Sequence, residues 1–147
     1  MTNQDKTVLV TGGSGFIATH CILKLAAAGY KIKSTVRNLD RVSDLNKILD
    51  EAGSTYERLN KIDVDWVSAD LTKDEGWSEA VKGCDYVMHV ASPVALEEPK
   101  DENDLIVPAR EGTLRVIKAA NEEGVKKIVL TSSVAAIIYG HEKDSFN

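Results

Sequence analysis

Thr11-Gly12-Gly13-Ser14-Gly15-Phe16-Ile17-Ala18 decides the fold of this chain, because it follows the apolar run Thr7-Val8-Leu9-Val10 and opens an amphipathic helical pattern. A strand that passes into a helix through glycines at this spacing reads as a dinucleotide-binding turn. The glycines serve separate ends: one makes the tight exit from the strand, one lets the backbone approach a pyrophosphate, and a small residue lets the helix pack close to the strand. Gly13, Gly15 and Ala18 satisfy G-x-G-x-x-G/A, and Gly12, Gly15 and Ala18 satisfy G-x-x-G-x-x-A. Thr11, Gly12, Gly13, Ser14, Gly15, Phe16 and Ile17 are therefore candidate cofactor-binding positions, with the first helical amides and the positive end of the helix dipole turned to the phosphates. The competing reading is a strand-to-helix turn that holds no ligand. The alternating pattern downstream favours the nucleotide.

Working outward, five short apolar runs rich in β-branched residues alternate with helical patterns, as in strands buried on both faces of a parallel sheet. Strands are expected near Thr7-Val10, Lys31-Val36, Asp63-Ser68, Tyr86-Val90 and Lys127-Thr131. The first helix should run from Phe16 to Ala28, with Ile17, Cys21, Ile22 and Leu25 on one face and Gly29 as a left-handed terminator. A second covers Arg41 to Glu51, with Val42, Leu45, Ile48 and Leu49 at helical spacing; a third, short one covers Asp74 to Val81, ended by Gly83. The longest spans Asp104 to Glu123, with Ile106, Val107, Ala109, Leu114, Val116, Ile117 and Ala120 toward the core and Gly124 closing it. This alternation predicts an α/β fold: a doubly wound parallel sheet of the Rossmann type, strand order 3-2-1-4-5, with helices on both faces. Residues 1–147 should form one such domain, with Ser92-Pro93 and Glu97-Glu98-Pro99-Lys100-Asp101 in a longer loop on the side where ligands bind.

The 147 residues suit a single core, and the net charge of -5, with charges interspersed, offers no basic footprint for nucleic acid. Cys21 and Cys84 are isolated in apolar surroundings and read as small hydrophobes in a reducing cytoplasm rather than as a disulfide. No apolar run approaches the roughly 20 residues that span a bilayer, and Met1 to Lys6 has no apolar signal segment, so a soluble protein without a membrane partner is expected. No metal site is expected. The oligomeric state stays open.

Folds of this type place an acid about 20 residues beyond the glycines, at the end of the second strand, where it bonds the adenosine ribose. Arg37 holds that place here. A guanidinium does not accept from a hydroxyl but offers a charged fork to a 2′-phosphate, which favours NADP over NAD. Arg41 is a candidate second phosphate partner, with Asp40 as its local counter-charge. Asp70-Leu71, after the third strand, sits where the adenine edge would lie; Asp70 could equally cap the turn into Thr72-Lys73-Asp74. His89 and His20 read as satisfied, partly buried histidines rather than catalysts.

Val10 to Ala18, Thr35-Val36-Arg37, Ala69-Asp70-Leu71, Lys82-Gly83-Cys84, His89 to Pro93, Glu111-Gly112-Thr113 and Val129 to Ser133 together resemble the extended short-chain dehydrogenase/reductase family. More narrowly, they resemble its branch of dihydroflavonol reductases, cinnamoyl-CoA reductases and microbial aldehyde or carbonyl reductases. The resemblance covers nearly the whole chain. It implies that Arg37 reads the NADP phosphate, that Asp70 contacts adenine, and that Val90, Ala91, Ser92 and Pro93 line the nicotinamide end. A lysine that some plant members use near the phosphate falls on Asp44. The family's catalytic serine, which holds the substrate oxygen, matches Ser133, whose competing reading is a hydroxyl capping a strand end.

Tyr139-Gly140-His141-Glu142-Lys143 has the spacing of the family's Y-x-x-x-K. It is not accepted as that pair. The chemistry needs both side chains one turn apart on a helix, and Gly140 interrupts the turn only a few residues past the strand. The resemblance then implies the cofactor-binding part of a longer NADPH-dependent reductase of aldehydes or ketones, with its tyrosine–lysine pair and substrate domain beyond Asn147. The alternatives are a non-catalytic NADP(H)-sensing or scaffold protein and a nucleotide-sugar epimerase or dehydratase, which usually prefers NAD and an acid where Arg37 stands.

Overall fold

The computed structural model describes residues 3–57, 59–93 and 101–139. Five strands, β1 (Thr7–Val10), β2 (Lys31–Val36), β3 (Val64–Ser68), β4 (Tyr86–His89) and β5 (Lys127–Leu130), form one parallel sheet in the order β3-β2-β1-β4-β5. The doubly wound arrangement expected from the alternation is the one observed. Val8 lies beside Ile32 of β2 and Tyr86 of β4, so the glycine turn leaves the sheet from its central strand.

The period-two alternation of strand side chains sorts the core into two layers. On one face Val10, Ile32 and Val64 pack with Ala18, Ile22 and Leu23 of α1 (Phe16–Ala27) and Leu49 of α2 (Val42–Ala52). On the other, Leu9 and Val87 pack with Trp77, Ala80 and Val81 of α3 (Trp77–Val81) and Val116, Ala119 and Ala120 of α4 (Asn103–Glu122). Burying each of these aliphatic side chains contributes about 1.5–3 kcal/mol, so β1, covered on both faces, is the strand hardest to displace. Gly29 follows α1 at φ +81, the left-handed terminator expected there.

Several burial expectations are corrected. In α4 the buried residues are Gly112, Val116, Ala119 and Ala120, whereas Ile106, Val107, Leu114 and Ile117 are exposed. The helix lies on the sheet by its small side chains: a Cβ on Gly112 would come within 2.8 Å of Leu71 Cβ, so a larger residue would push the helix away. Ile17 and Ile48 are likewise exposed, and Cys21 is only half-buried, because α1 turns Ala18, Ile22 and Leu23 inward. His20 is exposed, its ring edge-to-face with Phe16. β5 is only partly covered: Ile128 packs against the layer of Leu9 and Val87, while Val129 and Leu130 remain exposed ahead of a short helix, α5 (Val134–Ile138), that the sequence pattern did not disclose. Among the described residues, no helix is long and apolar enough to cross a membrane, and no group of three or more histidine, cysteine or acidic side chains is placed to hold a metal.

At the opposite edge of the sheet from the glycine turn, Asp85 ties three strands together. Its carboxylate accepts from Lys126 Nζ at 2.6 Å, the Thr7 amide at 3.1 Å and Lys6 Nζ at 3.2 Å. Its amide donates to the Thr7 carbonyl and its carbonyl accepts from the Lys126 amide, both at 2.9 Å. These bonds, Lys126 first, hold the Asp85 carboxyl well below the usual range. A carboxyl depressed in the folded state stabilises fully above its unfolded pKa of about 3.9, and that stabilisation disappears as the pH falls through the folded value. Asp85→Asn should therefore lower the thermal midpoint at neutral pH and flatten its decline below about pH 4. Unchanged melting curves at both pH values would show that the staple contributes nothing.

Candidate cofactor site

The turn after β1 is held from β2. The Gly12 amide donates to Thr35 Oγ1 at 2.9 Å, the Gly13 amide to the Thr35 carbonyl at 2.8 Å, and the Gly15 amide back to the Gly12 carbonyl at 2.9 Å. Gly12 stands at φ +73, and a Cβ there would approach Ala91 Cβ at 3.0 Å, so both conformation and space demand glycine. Gly13 is required by space alone: a Cβ would fall 2.2 Å from Ser34 Oγ and 2.5 Å from Trp66 Cζ3. The indole under Gly13 is fixed by its Nε1–H donating to Asn46 Oδ1 at 2.8 Å. Gly15 differs from both. A Cβ there would meet only the Gly12 carbonyl, at 3.2 Å, and it precedes α1 with no side-chain cap on the first-turn amides. The exposed backbone at Gly15 and the uncapped amides behind it form a cradle that fits an anion. Ser14, Phe16 and Ile17 are exposed around it.

Thr11 is fully buried and joins this turn to the end of β4. Its Oγ1 accepts from the amides of Val90 and Ala91, each at 3.0 Å, and lies 2.8 Å from His89 Nδ1. With both lone pairs taken, the hydroxyl proton goes to Nδ1, so the ring is neutral and carries its hydrogen on Nε2. His89 is 1% exposed, and among the described residues Nε2 has no partner. The histidine expected to be partly buried and satisfied is thus fully buried and half-satisfied. Burial lowers its pKa. Only the pairing with Thr11 reveals this, and sequence separation hid it.

At the ends of β2 and β3, Arg37, Asp70, Lys73, Glu75 and Gly76 line a cavity of about 740 Å³. No hydrogen bond or ion pair engages the Arg37 guanidinium among the described residues, and the side chain is exposed. Asp70 Oδ1 accepts from the Thr72 amide and hydroxyl, each at 2.9 Å, which is the turn-capping alternative; the Thr72 amide, helped by Arg37 and Lys73, holds its carboxyl below the usual range. Leu71 packs into the layer under α4, its carbonyl accepting from Arg115 Nη1 at 3.0 Å, and Arg41 is exposed; neither lines the cavity. Lys73 and Glu75, which the sequence reading passed over, do. Their signal was their position immediately after Asp70.

Val90, Ala91 and Pro93 are half-buried and Ser92 exposed just beyond the Thr11 clamp. Ser133 caps α5, its Oγ accepting from the Ala135 amide at 3.1 Å, so the hydroxyl caps a helix rather than the end of β5 and keeps its proton. Tyr139 is exposed; 140–143, with 94–100 of the loop after β4, lie outside the described residues.

A sequence profile of the 3-beta hydroxysteroid dehydrogenase/isomerase family matches residues 9–147. The chain belongs to that family. With it come the extended short-chain dehydrogenases/reductases that the motifs resembled. The chain is 40% identical over 138 residues to a dihydroflavonol 4-reductase of Hordeum vulgare, covering 93% of this chain and 37% of that protein. It is 37% identical over 133 residues to an anthocyanidin reductase of Vitis vinifera, covering 90% and 37%. The chain therefore spans little more than a third of the length of these relatives. Among solved structures, a Gre2 protein of Candida albicans in complex with NADPH matches with a TM-score of 0.73 at 28% identity, over 89% of this chain and 38% of that one. A UDP-glucose 4-epimerase of Bifidobacterium longum, bound to NAD+ and UDP, matches with a TM-score of 0.69 at 27% identity, over 95% and 40%.

Two outcomes follow from this geometry. Gly13→Ala should destabilise the protein by about 1–3 kcal/mol in denaturant titration, the range for overpacking, because its methyl must displace the indole of Trp66. An unchanged midpoint would mean that the turn does not rest on Trp66. In ¹⁵N NMR spectra His89 should show the neutral Nε2–H tautomer at pH 7. Since its folded pKa lies below the unfolded value of about 6.5, stability should fall as the pH drops beneath that value; an Nδ1–H signal would contradict the Thr11 assignment.

Proposed function

We propose that this chain is the dinucleotide-binding part of a reductase that takes NADP(H) in preference to NAD(H) and acts on the carbonyl group of a small molecule. The observation that carries the reading is the exposed, unpaired Arg37 guanidinium at the end of β2, in a cavity next to the glycine turn's strand. A strand end that holds a charged fork in place of an acid suits a 2′-phosphate and leaves a ribose hydroxyl without an acceptor. The exposed backbone at Gly15 and the uncapped amides of α1 suit a pyrophosphate. Reductases by name among the relatives, and NADPH in one structural neighbour, support the same reading.

NADPH held here would supply the hydride for the carbonyl carbon. The chain's own residues would do the rest of the binding: the amides after Gly15 hold the diphosphate, Arg37 the 2′-phosphate, Asp70 the adenine edge through its free oxygen, and Val90 to Pro93 the nicotinamide end. Ser133 retains its hydroxyl proton while capping α5, and would offer it as a hydrogen bond to the substrate oxygen as negative charge develops there. The epimerase alternative is disfavoured by Arg37, which occupies the position where an NAD-binding member would carry an acid.

Fluorescence titration should show tighter binding of NADPH than of NADH. Arg37→Ala should weaken NADPH by about 1.5–3 kcal/mol, or roughly ten- to a hundredfold, and leave NADH nearly unchanged. Gly15→Val should abolish binding of both while the circular dichroism spectrum is kept, because the branched side chain fills the cradle. Equal affinities for the two cofactors in the unmodified protein would overturn the preference, and normal binding by Gly15→Val would overturn the cradle.

A further inference from the structure

We propose that Lys73 is the second cation of the cofactor site and a determinant of its specificity, acting with Arg37 on the 2′-phosphate while Glu75 opposes them. The proposal rests on the NADP(H) reading above. Lys73 lines the same cavity as Arg37, whereas Arg41, the partner expected from its closeness in sequence, does not. The first turn of α2 offers no replacement: Asp44 stands there, 3.2 Å from Lys47.

The backbone of Lys73 is fixed on both sides. Its amide donates to the Asp70 carbonyl at 3.0 Å, and its carbonyl accepts from Nε1 of the buried Trp77 at 3.1 Å. The side chain itself is exposed and has no ion pair among the described residues. An anchored Cα with a free ammonium is a long cation delivered from a set position.

Charge makes a second cation necessary. A 2′-phosphate brings a charge of about −1.5 to −2 into a cavity that already holds Asp70 and Glu75. Arg37 alone would face a large excess of negative charge, and Lys73 reduces that excess by its own charge. Asp70 is bonded to Thr72 and already lies in the field of Arg37 and Lys73, and Glu75 on the same lining adds negative charge that opposes a phosphate. The same reasoning assigns Glu75 the opposite sign of effect.

The test is calorimetric titration of the whole chain with NADPH, NADH and 2′,5′-ADP at low and high ionic strength. The proteins compared are the unmodified chain, Lys73→Gln, Lys73→Arg, Glu75→Gln, Arg41→Gln and Arg37→Gln. Lys73→Gln should weaken NADPH and 2′,5′-ADP about three- to tenfold, more at low salt, with NADH unchanged. Lys73→Arg should restore the loss, Glu75→Gln should tighten NADPH, and Arg41→Gln should do nothing. If Lys73→Gln binds NADPH as the unmodified chain does, or weakens NADH equally, the proposal falls while a loss in Arg37→Gln keeps the parent reading. If the unmodified chain does not prefer NADPH, both fall.

Discussion

The hydroxyl of Thr11 is the point on which the site depends. One side chain oxygen accepts from the amides of Val90 and Ala91 and donates a hydrogen bond to His89, a buried link added to the β1–β4 pairing and to the bond from the Thr11 amide to the Met88 carbonyl. The glycine turn begins one residue later, at Gly12, where any Cβ would press on Ala91. The two segments that would hold the diphosphate and the nicotinamide end are thus fixed by one local network rather than by separate loops. Removing the hydroxyl would leave buried donors and an acceptor unpaired, each costing about 1–3 kcal/mol.

From this point the turn is supported in the opposite direction by β2 and β3. Thr35 binds the amides of Gly12 and Gly13, and Trp66, held by Asn46 of α2, fills the space that any side chain on Gly13 would need. The turn is therefore clamped from both neighbours of β1. Gly15, at its outer end, is the exposed one of the three, and this separates the glycines packed against neighbouring strands from the one that presents its backbone to a ligand.

The architecture was legible because β1 reads as an apolar run and strands alternate with helices along the chain, although β2 buries Lys33, Ser34 and Thr35 beside Ile32 and Val36. The placement of Thr11 through Gly15, and of Arg37 at a strand end, followed from spacing alone. What was not legible was which face of a helix packs when two faces are apolar. α4 carries Ile106, Leu114 and Ile117 on one side and Gly112, Val116 and Ala120 on another, and the periodicity placed the large residues of the first side toward the core along with Val116 and Ala120 of the second. Close approach of the backbone decided for the second, because Gly112 meets Leu71 where a larger residue would not fit. Lys73 and the half-satisfied His89 were missed for a related reason: each matters through a neighbour far away in sequence or through a cavity, and neither has a periodic signature.

The two edges of the sheet divide the work by charge. At the edge where the strands begin, Asp85 faces Lys6 and Lys126 and is satisfied within the protein, so it has nothing left to offer a ligand. At the edge where they end, the Arg37 guanidinium and the Lys73 ammonium are unpaired among the described residues, Asp70 keeps one oxygen outside its turn, and the amides of α1 are uncapped. Solvent satisfies these exposed groups in the free chain, and their gathering at one end of the sheet is what the proposed function rests on. Two cations and a row of amides suit an elongated polyanion. A dinucleotide laid across the ends of β2, β1 and β4 would meet all of them at once.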